Sequence, residues 1–211
     1  MTDSQPDSKT DSKSDSQPDS RIDASFPHAW QAEVLFARPL ILPARQFVYP
    51  VQVEEVERGA LEVMVKPPPG SADGSSFLAT YALGFTSPLA LTGVWAAPDP
   101  NWMCALAGGY GYLIDTSEPR RWEQLEYRPV TAIRALPDHG LLVFAGFHSL
   151  LAWGPGGKAW QTARLSWEGV RITGIEGDTL IGLGWDLKTD RELEFAVNLK
   201  TGEHRGGGYL P

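Results

Sequence analysis

Apolar and polar side chains alternate with a period of two in short runs along most of the chain. Trp30, Ala32, Val34 and Phe36 fall on one side of a run, with Gln31, Glu33 and Leu35 on the other. Phe77, Ala79, Tyr81 and Leu83 repeat the pattern. Such alternation predicts strands with one face on a core. Windows with helical spacing are cut by Gly or Pro, or alternate instead, so no amphipathic helix is expected. Pro39, Pro43 and Pro50 exclude a long helix in the first quarter. Phe47–Tyr49 and Val51–Val53 are β-rich pieces around Pro50, which makes that strand an edge or divides it in two.

The strands recur as a unit. Thr92-Gly93-Val94 leads to Met103–Gly108, Thr131-Ala132-Ile133 to Leu142–Gly146, and Thr173-Gly174-Ile175 to Leu180–Gly184. The closing glycines, Gly108, Gly146 and Gly184, are 38 residues apart both times. They are read as the ends of second strands, where the chain turns. Third strands are predicted at Tyr110–Asp115, His148–Trp153 and Glu192–Asn198, and fourth strands at Arg121–Tyr127 and Ala159–Trp167. Residues 51–91 read as a diverged copy, with strands at Val51–Val56, Leu61–Lys66 and Phe77–Leu83. The units are thus 51–91, 92–130, 131–170 and 171–209. A period of about 40 residues built from short strands is the form of a propeller blade or a related stacked unit. The expected fold is all-β: a small propeller-like array of about four four-stranded units. An open twisted array or a barrel-like sandwich is the alternative. The strand near Trp30–Phe36 is expected to close the ring beside the last unit.

The turns carry a resemblance. Asn198-Leu199-Lys200-Thr201-Gly202-Glu203 is similar to the Asp/Asn-x-x-Thr-Gly-x turn of quinoprotein-type propellers. Gly156-Gly157-Lys158-Ala159-Trp160 is similar to the tail of the Asp-box turn of sialidase-type propellers. Trp153 and Pro155 stand where that motif has Ser and Asp. The whole domain also resembles a bacterial family of no assigned activity. The resemblance implies a fold and brings no active site.

Composition adds limits. Asp3, Asp7, Asp11, Asp15 and Asp19 recur every four residues among serines, against only Lys9 and Lys13. With no apolar side chain between Thr2 and Ser20 to repay ordering, residues 1–25 are expected to be a disordered acidic tail, and 26–211 a single domain. The net charge of −8 argues against sequence-independent nucleic-acid binding. No run of 18 apolar residues predicts a membrane span. No secretory signal is seen, so a cytoplasmic protein is expected. Cys104, the single cysteine, excludes an internal disulfide framework and a multi-cysteine zinc site.

Candidate chemistry is sparse. His28, His139, His148 and His204 show no metal-ligand spacing. Asp186, Asp190, Glu192 and Glu194 depart from a calcium-loop pattern. Cys104 lacks a basic neighbour, and Gly108-Gly109-Tyr110-Gly111 lacks the Lys-Ser/Thr of a phosphate loop. No cofactor is expected. Most of the eight tryptophans are read as packing between units, where a large ring buries much area. Tyr110, Tyr112, His148 and Trp185 stand near the second-to-third-strand turns of successive units, so that face is the expected ligand-binding site. The expected function is a non-catalytic scaffold for an unidentified protein or small ligand. The alternative is a hydrolase or lyase on a carbohydrate-like substrate at the same mouth.

Stacked units share their cores. A chain ending at Gly169 should therefore expose a hydrophobic face and aggregate, as followed by size-exclusion chromatography. A soluble, folded monomer would contradict the repeat reading.

Overall fold

The computed structural model describes residues 22–51 and 59–209. The predicted strand at Val51–Val56, apart from Val51, and the acidic repeat of residues 2–20 therefore lie outside the described residues. The chain is all-β, in four sheets of four or five strands. The only helical turn among the described residues is a 3₁₀ turn at Pro137–His139. No described helix is long and apolar enough to cross a membrane.

The first sheet contains β2 (Gln31–Leu35), β3 (Arg45–Tyr49), β4 (Ala60–Lys66) and β5 (Phe77–Ala82), in the order β2-β4-β5-β3. The second holds β6 (Gly93–Ala96), β7 (Trp102–Ala107), β8 (Tyr110–Asp115) and β9 (Trp122–Gln124). It gains a parallel edge from β1 (Ile22–Asp23), so order begins upstream of Phe26. The third is β10 (Ala132–Leu136), β11 (Leu141–Ala145), β12 (Leu150–Gly154) and β13 (Gly157–Gln161). The fourth is β14 (Val170–Glu176), β15 (Thr179–Asp186), β16 (Arg191–Asn198) and β17 (His204–Gly206). The last two sheets, and β6–β9 of the second, are antiparallel meanders.

The expected closure is corrected. The strand at Gln31–Leu35 pairs with β4 of the first sheet, not beside the last unit. Its alternation explains why: Ala32 lies opposite Val65 and Val34 opposite Val63, and all four turn to the core. Phe36 does not continue that face; the strand ends at Leu35 and Phe36 is exposed. The first sheet thus draws two strands from before residue 51. No closure into a ring or barrel is found among the described residues. One apolar cluster spans the first three sheets and another the third and fourth, and neither joins the fourth to the first.

Aromatic side chains tie neighbouring sheets. Tyr49, Tyr81 and Tyr112 stack with ring centres 5.3 and 5.5 Å apart. The Tyr49 hydroxyl donates to the Pro119 carbonyl of the second sheet at 2.6 Å, and that of Tyr112 to Ala82 of the first at 2.9 Å. Trp160 of the third sheet donates its indole N–H to Leu199 of the fourth at 2.7 Å. Buried rings whose polar ends find carbonyls supply both area and direction.

The periodic glycines have a different meaning from the expected one. Gly108 and Gly146 follow the last residues of β7 and β11, but Gly184 lies inside β15, which runs on to Asp186. What they share is a neighbour. A Cβ on Gly108 would lie 2.6 Å from the Phe85 carbonyl oxygen, and one on Gly146 2.7 Å from that of Pro129. On Gly184 it would fall closer still to Leu165 O. Each carbonyl belongs to the connection entering that glycine's own sheet. Thr173 shifts too: it sits at the irregularity of β14, while Val170 takes the place opposite the glycine.

Gly146→Ala and Gly184→Ala are therefore expected to destabilise the fold by about 1–3 kcal/mol, because backbone cannot yield cheaply. Gly156→Ala, with open space around its position, should stay within about 0.5 kcal/mol. Chemical denaturation of the three variants checks this; equal midpoints would contradict it.

Candidate functional site

Three connections, residues 83–92, 125–131 and 162–169, pass between sheets at one rim of the array. Their backbone polar groups must be paired. The Gly84 and Phe85 N–H groups donate to Ala107 and Gly108 at 3.0 and 2.8 Å. Val130 donates to Gly109 at 2.9 Å, and Val170 to Gly146 at 3.1 Å. The His148 carbonyl accepts from Leu165 at 2.6 Å, and Trp185 accepts from Trp167 at 3.0 Å. The connections thereby pin the turns that carry the predicted residues.

Tyr110 opens β8 at this rim, half-buried, with its ring edge-on to Phe85 at 5.6 Å. The Arg128 guanidinium lies over the same ring, 4.9 Å from its centre. Arg128 also lines a cavity of about 460 Å³ at the seam of the second and third sheets, together with Glu126, Tyr127, Phe147, His148 and Gln161. His148 is exposed there. Its backbone is held by Leu165 and Ser166 while its ring stays accessible. The Tyr127 hydroxyl donates to the Ser149 carbonyl below, and burial pushes its pKa up to about 12. Trp185 is half-buried one sheet further on, with its backbone N–H donating to the Ser166 hydroxyl at 2.8 Å. Arg164 caps that end, stacked over Trp167 and Tyr209 at 4.7 Å each.

Tyr110, His148 and Trp185 thus share one rim on three successive sheets. Only His148 lines the seam cavity itself, with Tyr110 one layer behind Arg128. Tyr112 does not reach the rim. It is two residues deeper on the same face of β8, fully buried against the first sheet.

Arg128, Glu126, Gln161 and Arg164 went unread in the sequence. Arg128 follows the predicted strand Arg121–Tyr127, and Arg164 falls inside the predicted strand Ala159–Trp167; the strands end earlier, at Gln124 and Gln161, which leaves both arginines in connections. Their spacing of 36, close to the repeat period, was the available signal.

A second cavity, about 510 Å³, lies along β3 against Pro119 and Trp122. Its walls are mainly apolar and offer little to orient a polar ligand.

Outside the seam cavity, the residues weighed for chemistry are committed elsewhere. Cys104 is fully buried and burial pushes its thiol pKa well up. Asp186 spends its carboxylate on Lys188 and Thr189 of its own turn, which holds its pKa below the usual range. No group of three potential metal ligands occurs among the described residues. His139 bonds the Gly177 carbonyl at 3.0 Å and faces Asp178 at 3.6 Å, tying the third sheet to the fourth away from the cavity.

No protein-family model matches this chain, and comparison with curated proteins gives no match.

Proposed function

We propose that the four sheets are propeller-type blades of an open array, and that the chain is a non-catalytic binding scaffold. Its ligand is a small molecule or peptide side chain bearing an anionic group, taken up at the seam of the second and third blades. One observation carries this reading. The Arg128 guanidinium carbon lies over the Tyr110 ring, 4.9 Å from its centre, at the cavity, and among the described residues no carboxylate forms an ion pair with it. A guanidinium fixed by an aromatic face keeps its N–H fork available for a planar anion. His148 and Gln161 add polar contacts, and Phe147 and Pro129 an apolar wall.

A second reading rests on Glu126 and His148 sharing that cavity. A carboxylate and an imidazole supply acid and base for a hydrolase or lyase on a carbohydrate-like substrate.

The two separate by a ligand screen of carboxylates, sulfates and oligosaccharides, followed by NMR shift perturbation and product analysis. Saturable binding of an anion is expected, weakened at least about tenfold by Arg128→Ala, as loss of a charge-assisted contact implies. Arg120→Ala, at an exposed position outside this cavity, should leave it unchanged. Binding that survives Arg128→Ala and His148→Ala, or no saturable binding at all, contradicts the scaffold reading. Turnover abolished by Glu126→Gln favours the enzyme.

A further inference from the structure

The direction in which the chain enters the second sheet fixes where its acidic repeat is attached. β1 is parallel to β6, with Ile22 opposite Val94 and Asp23 opposite Trp95. β6 starts at Gly93, directly after the connection 83–92 on the rim that carries Tyr110 and His148. Parallel neighbours start at the same end of a sheet. The chain before Ile22 is therefore attached at that rim. An antiparallel pairing would have attached it at the opposite rim, beside Asp99 and Asp115. There, like charges would repel an acidic segment.

The attachment point lies near Arg128. Leu91 donates its N–H to the Val130 carbonyl at 3.1 Å, and Val130 is two residues from Arg128. The path from Val94 back to Leu91, across that bond and on to Arg128 is roughly 20 Å long. Residues 83–92 carry no charged side chain, so Arg128 is the first cation on this path. Its guanidinium is in no ion pair among the described residues, and Glu126 of the same cavity does not engage it. Arg164, further along the rim, already donates to the Ser166 and Trp167 carbonyls at 2.9 and 3.0 Å.

The repeat has the charge and the length to use that cation. Asp3, Asp7, Asp11, Asp15 and Asp19 stand against Lys9 and Lys13 in residues 2–20. Asp19 is three residues before Ile22, and an extended chain of that length spans about 10 Å, short of Arg128. Asp15 is seven residues before Ile22, and that length spans roughly 25 Å, which suffices. Asp11, Asp7 and Asp3 have longer reach. Four carboxylates are thus within chain length of one guanidinium. Tethering presents them at an effective concentration on the order of millimolar.

We propose that the acidic repeat of residues 2–20 docks through its aspartates on Arg128 at the seam cavity and competes there with an external anion. This rests on Arg128 being the anion contact of the scaffold. An external ligand then binds only to the fraction of chains whose site is open, and its apparent affinity falls by that fraction. The repeat is in this account a tethered competitor, and its charge sets the threshold for occupancy of the site.

Paramagnetic NMR on the full chain reads the contact directly. Cys104 is fully buried, so a nitroxide attached at Ser12→Cys labels one site. At about 0.01 M ionic strength, where charges act over roughly 30 Å, the amides of Tyr127, Arg128 and His148 should broaden. Arg128→Ala should abolish this, and Arg128→Lys, which keeps the charge, should retain it. A full-length chain with all five aspartates changed to asparagine should also lose it. Benzoate, a planar carboxylate probe, should bind that asparagine chain about two- to fivefold more tightly than the wild type, as an effective concentration of a few millimolar gives against a millimolar contact. The amide spectra verify that each variant is folded. Benzoate binding that depends on Arg128 but is equal in the two chains, with no broadening at the cavity, overturns the proposal and leaves the scaffold reading standing. Broadening confined to the opposite rim, or unchanged by Arg128→Ala, overturns it too. Arg128-dependent broadening without benzoate binding to either chain supports the docking and counts against an external ligand. Absence of both broadening and binding defeats both.

Discussion

The structure depends on how closely the inter-sheet connections press onto the sheets they enter. A chain leaving one sheet must reach the next without stranding its N–H and C=O groups. Here it does so by lying across the end or edge of a second strand and bonding to the backbone there. Gly84 and Phe85 do this at Ala107 and Gly108, Val130 at Gly109, and Val170 at Gly146. The Gly208 N–H donates to Leu165 O at 2.8 Å and continues the belt past the fourth sheet. Such proximity leaves no room for a Cβ at Gly108, Gly146 or Gly184. The 38-residue period therefore records backbone contact.

The belt also fixes where chemistry can occur. It holds the turns at Tyr110, His148 and Trp185 to one rim, and it places Arg128 between Tyr110 and the seam cavity. Aromatic tethers such as Tyr112 to Ala82 and Trp160 to Leu199 hold the sheets face to face behind the rim. Packing and backbone pairing thus leave a few connector side chains uncommitted, and those are available for binding.

Much of the architecture was legible because period-two alternation reports directly on one buried face. The strand at Tyr110–Asp115 matches its predicted bounds, and those around Leu142 and Leu180 fall where the apolar runs are. Pro50 follows an edge strand, as its missing N–H requires. Local patterns say little about partners distant in sequence. The Gln31–Leu35 strand reads the same whether it pairs with β4 or with the last sheet; the choice is made by Val63 and Val65. Tyr110 and Tyr112 also read alike, yet one sits at the rim and the other two residues deeper in the core. Arg128 belonged to a segment with no periodic signature, and its importance comes from Tyr110 lying beneath it in space.

The central claim is that the connections weld the four sheets into one cooperative body. Native-state hydrogen exchange at the amides of Gly84, Val130, Val170 and Gly208 tests it most directly. The account predicts that they exchange with the same free energy as the amides of β7 and β11, through global unfolding alone. Exchange of the seam amides by local opening at clearly lower free energy, with the sheets losing protection separately, would contradict it.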